Sequence, residues 1–333
     1  MTALPDPTAL LRLREGVYLG DLVIAAIAVL DLFTKLGDEP RSPAEIAALL
    51  GLDERPAAVM CEALETLELL ERDGGRLTAS ATARAHLVAG APGDLRPYFA
   101  SLRERPAVRE LADVLRTGRP AAWASAAAGD EWAGRLDDPG FAEEFTAAMD
   151  ARARVLSPAL AQALADVPAR RVLDIAGGSG AYGCALLDGG GELHVTVLER
   201  PPVDEVARTL LRRRGYDSVD VVVGDMFEGL PAGYDLHLYS HVLHDWGIAA
   251  VEALLRSSFD ALPSGGRVVD YDAHLDSPRE PAVAAYSVLL MHATEGRCYG
   301  VEEIAGLMRA AGFVDIDVRR TAGDRSAICA RRP

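Results

Sequence analysis

The residues of this chain able to do chemistry lie mainly in its second half. Val172-Leu173-Asp174-Ile175-Ala176-Gly177-Gly178-Ser179-Gly180 starts as a short apolar run and breaks into glycines before a helix-forming stretch. The run reads as a strand buried on both faces of a parallel sheet. Gly177, Gly178 and Gly180 let the backbone turn sharply and approach a ligand with no Cβ in the way. The N–H groups opening the next helix would face that ligand. Beyond that helix a second apolar run, "ELHVTVLE", ends in Glu199, where a carboxylate can accept both hydroxyls of a ribose. A glycine turn followed by a spaced acid points to a nucleoside cofactor.

Two histidines add a second chemistry. His244-Asp245-Trp246 follows another predicted strand, and His292 interrupts the apolar run in "SVLLMHATEG". Imidazole titrates near neutrality and suits a general base. A polar ring inside an apolar helix needs a partner, and a buried hydrogen bond or a subunit contact would supply one. A sharper reading lets His244 and His292 converge on one metal ion with Asp245 beside them. Two histidines and a carboxylate form an open site for iron, zinc or similar ions. His241 lies a helical turn before His244 and reads as structural. His86, His194, His237 and His274 have no chemical context.

The elements that must hold these residues follow from pattern. From Arg171 onward apolar strands alternate with helical segments, which implies an α/β doubly wound, Rossmann-like sheet over residues 169–333. Asp174, Glu199, Asp225 and Ser240 fall at or near carboxyl ends of those strands, where ligands bind in such sheets. Residues 1–100 read as mostly helical, with a single apolar helix over Leu10 to Leu36. Ser42-Pro43-Ala44-Glu45 is a capping box with proline at the first helical position. A second helix spans Glu54 to Leu70, and a hairpin turns at Asp73-Gly74-Gly75. That order is winged-helix-like and suggests a dimerisation domain. Residues 101–168 form a helical linker region that ends in a helix from Phe141 to Leu164.

Composition narrows the function classes. The chain has 333 residues, 50% hydrophobic and 25% charged, the balance of a globular protein. A net charge of −16 argues against a nucleic-acid binder. The second helix carries Glu54, Glu62, Glu65 and Glu68 against Arg55 alone, a poor surface for phosphate. The four cysteines are scattered, with no zinc-knuckle or disulfide pattern. Leu22 to Phe33 is too short to span a bilayer, and no secretory leader is read. A cytoplasmic enzyme without a membrane partner is expected.

The motifs "VLDIAGGSG", "VTVLERP", "GDMFEGLP", "YSHVLHDW" and "LPSGGRVVDYD" occur in order. Together they resemble the S-adenosylmethionine-dependent methyltransferases of the small-molecule O-methyltransferase type, which carry an N-terminal dimerisation domain. That resemblance implies that Asp174 and the Gly177–Gly180 turn hold the methionine part of the cofactor. It gives the ribose hydroxyls to Glu199, the adenine to Asp225 and Met226, and an anchoring role to Ser240. Ala176 departs from the pattern, since the family usually has a glycine there. A nicotinamide cofactor fits less well, because "GGSG" matches GxGxxG poorly. His244 matches the general base that deprotonates a phenol or other hydroxyl.

The chain also departs around His292, where those enzymes usually carry two glycines and an acid that orients the base. His244, Asp245 and His292 resemble the metal set of C-methyltransferases acting on 2-oxo acids. A metal that chelates such an acid stabilises its enolate, whereas a phenol needs no such help. Metal-assisted C-methylation of a small 2-oxo acid in natural-product biosynthesis is therefore the preferred expectation. Metal-free O-methylation of a phenolic or hydroxylated metabolite, with His244 as base, is the alternative. Arg297 could pair with a substrate carboxylate. Met149, Tyr299, Phe145, Trp132 and Cys298 are candidate pocket residues. A homodimer through the N-terminal domain is expected. A DNA-binding regulator and a repurposed decarboxylase or pericyclase on the same scaffold are the rival readings.

Overall fold

The computed structural model describes residues 5–121, 134, 136–190, 192–276 and 280–333. It forms two compact units. A sheet unit comprises Met1–Ala9, Gly129–His274 and Tyr299–Pro333, and a helical unit comprises Leu10–Ala128 and Leu275–Cys298. Residues 275–298, placed by sequence pattern in the Rossmann-like part, thus belong with the helical unit. Among the described residues no helix is long and apolar enough to cross a membrane.

In the helical unit the Ser42 hydroxyl accepts from the Glu45 N–H, and the Glu45 carboxylate accepts from the Ser42 N–H. This capping box starts the helix Pro43–Leu50. The helix Glu54–Thr66 follows, and β1 (Leu70–Asp73) pairs antiparallel with β2 (Arg76–Ala79) around two glycines with positive φ. Arg55, the lone base on its acidic helix, points its guanidinium at the carbonyls of Gly118 (2.7 Å), Gly296 (2.9 Å) and Thr294 (3.4 Å). The helix Pro281–Ala293 is buried from Val283 onward, and its Val288 and Met291 join the core of Leu22, Phe33, Met60 and Leu64. The stretch expected as one helix over 10–36 is instead broken. It forms Thr8–Glu15, Leu19–Ile24, a π turn over Ala25–Val29, and Leu32–Leu36. Gly16 and Gly20 weaken helix continuity, and Asp31 turns the chain with a left-handed φ of 52°.

The sheet unit is built on β3 (Arg171–Ile175), β4 (His194–Glu199), β5 (Asp220–Val223), β6 (Leu236–Ser240), β7 (Arg267–Asp272), β8 (Val314–Thr321) and β9 (Arg325–Arg331). Their order is β5-β4-β3-β6-β7-β9-β8. The first five run parallel, while β9 lies antiparallel between β7 and β8. The last two strands are joined by Ala322-Gly323-Asp324, far too short for the crossover a parallel pair needs. The order reverses between β3 and β6, so the carboxyl ends of these strands flank the crevice where open α/β sheets bind ligands. The linking helix Pro139–Ala163 starts on an Asp138 cap and carries one face of Ala142, Thr146, Ala153, Leu156 and Leu160 into the core.

Candidate active site

Asp174 lies next to the end of β3 with its carboxylate fully buried. It accepts the Gly183 N–H at 3.2 Å, and its Oδ1 has no partner among the described residues. A Cβ on Gly177 would stand 2.5 Å from that carboxylate, so the turn requires glycine there. The Gly178 N–H donates to Glu199 Oε1 at 2.8 Å, and the Arg200 N–H donates to Oε2 at 3.1 Å. The glycine turn and the acid closing β4 are thereby tied together. Burial pushes both carboxyls up, Asp174 to about 7 and Glu199 to about 7. Two desolvated acids favour a cationic ligand. Ser240 ends β6 with its Oγ buried and unpartnered among the described residues. Asp225 follows β5, its Oδ1 accepting the Phe227 N–H at 2.8 Å, and Met226 packs against the core of the sheet unit. Orphaned polar atoms, a glycine cradle and two desolvated acids fit a sulfonium cofactor with a ribose and an amino-acid tail. Ala176 adopts a φ of 50°, a left-handed conformation that costs a residue with a Cβ roughly 1–2 kcal/mol.

His244 stands in the 3-10 turn Leu243–Asp245, just past β6. Its Nδ1 lies 2.7 Å from Oδ1 of Asp272, the last residue of β7, and its Nε2 lies 3.5 Å from Asp245. Asp272 also accepts the Ala273 N–H at 2.7 Å. Since Nδ1 faces a carboxylate it carries a proton, which leaves the Nε2 lone pair as the basic site. Burial pulls the His244 imidazolium down, but the charges of Asp272 and Asp245 together outweigh it and hold its pKa above the ordinary value. Asp245 is pushed up to about 6 by burial. Tyr299, a candidate pocket residue, donates its hydroxyl to the Trp246 carbonyl and so fastens this loop. Phe227 packs edge-on against the Trp246 ring at 4.7 Å.

The metal set expected from sequence does not assemble. His292 is stacked on Tyr18, with ring centroids 4.2 Å apart, and its Nε2 lies 3.1 Å from Glu110. Its partner is thus supplied within the helical unit. Among the described residues, the one group of three ligand-bearing side chains close enough for a single ion is His241, His244 and Asp272, without Asp245 or His292. Arg297 belongs to the helical unit, its guanidinium donating to the Cys298 carbonyl at 3.3 Å. Met149 and Phe145 sit on the linking helix, Phe145 stacked with Phe141 at 5.8 Å. Trp132 lies outside the described residues. Sequence reasoning missed Asp272, although the signal was present: it closes an apolar strand, as Glu199 does.

The family model for the O-methyltransferase domain matches residues 108–314. The chain is 29% identical over 322 residues to a 3-hydroxy-5-methyl-1-naphthoate 3-O-methyltransferase of Streptomyces sahachiroi, covering 95% of this chain and 92% of that one. It is 29% identical over 341 residues to the tetracenomycin polyketide synthesis 8-O-methyltransferase of Streptomyces glaucescens, covering 100% and 98%. The crystal structure of an O-methyltransferase family 2 protein of Planctomyces limnophilus, in complex with apigenin, superposes with a TM-score of 0.87 at 28% identity, covering 100% and 98%. These relatives do not support the C-methyltransferase subgroup expected from His292. The chain belongs to the S-adenosylmethionine-dependent O-methyltransferases.

Proposed function

We propose that this enzyme O-methylates an aromatic hydroxyl in natural-product biosynthesis, with His244 as general base and Asp272 as the residue that positions it. The observation that carries this reading is the 2.7 Å contact between His244 Nδ1 and Asp272, which fixes the tautomer whose Nε2 can take a proton. A phenol has a pKa of about 10, so a base with a raised pKa removes its proton as the oxygen attacks. Asp174 and the Gly177–Gly180 turn would hold the methionine part of the cofactor, Glu199 the ribose, Asp225 and Met226 the adenine, with Ser240 as an anchor. When bound, S-adenosylmethionine supplies an electrophilic methyl group. The unit's own part is then to align acceptor and donor and to receive one proton. A hydroxylated naphthoate or similar fused-ring phenol is the acceptor class, as the relatives' substrates support. The test is a screen of such phenols and of 2-oxo acids with labelled cofactor in the presence of a chelator. A methyl ether formed at full rate is expected; a carbon-methylated 2-oxo acid would overturn the reading.

We also infer a homodimer formed through the helical unit. Leu10, Leu13 and Tyr98 are each more than 70% exposed. A cavity of about 370 Å³ beside Tyr98 is lined by Leu19, Val23, Leu67, Phe99 and Leu102. A monomer seldom leaves so much apolar surface to water. Light scattering should give a dimer mass for the natural chain and a monomer mass for Leu13→Glu combined with Tyr98→Glu. A monomeric natural chain contradicts the inference.

A further inference from the structure

The cluster behind His244 holds more ligand atoms than a base requires. His241 follows β6 with a φ of 57°, a left-handed conformation seldom adopted by residues other than glycine and concentrated at functional sites. Its side chain is 1% exposed, and neither ring nitrogen makes a hydrogen bond among the described residues, although Nδ1 lies near Asp272. The Asp272 Oδ2 atom is likewise buried without one. Buried polar atoms ordinarily find partners, so these orphans on adjoining residues call for a ligand.

The geometry matches a small cation. One ligand atom from each of His241, His244 and Asp272 lies within 4.8 Å of the others, and all three residues are buried. The Nδ1 atoms of His244 and His241 approach the same Asp272 oxygen, at 2.7 Å and 3.3 Å. Tetrahedral ligands with bonds of about 2.0–2.2 Å to one ion stand roughly 3.3–3.6 Å apart, so small rotations of the two rings bring all three into range. Two imidazoles and a carboxylate are a donor set for zinc or a similar divalent ion. The opposing charges are Arg152, whose guanidinium acts on both rings, and the buried Arg325, which acts on His241.

We propose that His241, His244 and Asp272 form an inhibitory site for a zinc-like divalent cation, behind the methyl-acceptor face of His244. Coordination through the His244 Nδ1 leaves the ring's proton on Nε2, the tautomer that cannot act as a base. Where His244 is neutral, the ion displaces its proton from Nδ1 to Nε2 with no net release; where it is an imidazolium, binding releases the Nδ1 proton. The inhibition rests on the proposed role of His244; the binding does not.

The test titrates chelator-treated enzyme with Co²⁺ and then with Zn²⁺. One equivalent of Co²⁺ should give the visible absorption of a low-coordinate histidine site, and Zn²⁺ should bleach it. His241→Gln and Asp272→Asn should each abolish the bands, whereas the exposed-histidine variant His194→Gln should keep them. A cofactor-induced rise in melting temperature confirms that each variant is folded. Zn²⁺ should stop methyl transfer with the midpoint of the optical titration, and chelator should restore it. Absence of the bands, their survival in both cluster variants, or their loss in His194→Gln overturns the site. Bands without inhibition leave the site standing and overturn the role of His244 as base.

Discussion

Two histidines that face a carboxylate, one from each unit, end in opposite states. His244 of the sheet unit lies 2.7 Å from Asp272, and His292 of the helical unit lies 3.1 Å from Glu110. Both side chains are 4% exposed, so desolvation opposes protonation of each. Their partners differ: Asp272 is 3% exposed, while Glu110 is 49% exposed. Water screens the charge of Glu110 and not that of Asp272. With Asp245 adding a second charge, His244 is raised above the ordinary imidazole value, and His292 is lowered below it by burial. The unscreened Asp272 and the sequence neighbour Asp245 together set His244 apart from His292, whose one acidic partner is half exposed.

The largest test of this contrast exchanges the rings. His244→Gln should lower kcat by about 10²–10⁴-fold, the usual contribution of a general base. His292→Gln should leave kcat at the natural level and cost about 1–3 kcal/mol of stability, read by denaturant unfolding, as Glu110 and Tyr18 lose their partner. A collapse of kcat in His292→Gln would erase the distinction.

A second test uses Asp174 and Glu199, the acids proposed to hold the cofactor. Asp174 and Glu199 are both pushed up to about 7 by burial, against about 4 in an unfolded chain. The folded protein without cofactor therefore holds protons that the unfolded chain has lost. Its stability falls as pH rises from about 4 to about 7 and is level beyond that. A cationic cofactor favours the ionised acids, so its thermal shift should be larger at pH 8 than at pH 6. Glu199→Gln should flatten that difference; equal shifts in the natural protein would contradict the account. The smallest effect belongs to the strained turn. Ala176→Gly relieves the left-handed conformation and should raise stability by about 1 kcal/mol in a chemical melt.

The strand-end placement of Asp174, the glycine turn and Glu199 was legible because these residues sit in contiguous motifs, where apolar run, turn and acid carry the signal locally. Asp174, the glycine turn and Glu199 needed only the order of the strands. His244 was placed just past a strand by its motif, and the linking helix expected from Phe141 to Leu164 starts two residues earlier, at Pro139 on the Asp138 cap. Asp272 was within reach of the rule that found Glu199 but stands on a strand with two other aspartates nearby, Asp270 and Asp276, which blurred it. His292 misled because its partners, Tyr18 and Glu110, lie far away in sequence and are chosen by tertiary packing. The positive φ of His241 and the exposure of Glu110 are set by the folded environment and leave no mark in a single sequence.

The central claim is that an unscreened Asp272 holds His244 in its working state, and the pH dependence of kcat/KM on a hydroxynaphthoate tests it most directly. The natural enzyme should gain activity with rising pH through an inflection above the ordinary value of 6.5, as His244 loses its proton. Asp272→Asn removes the charge that favours the imidazolium, so the inflection should move to lower pH with a reduced plateau. The same inflection in both proteins would contradict the claim.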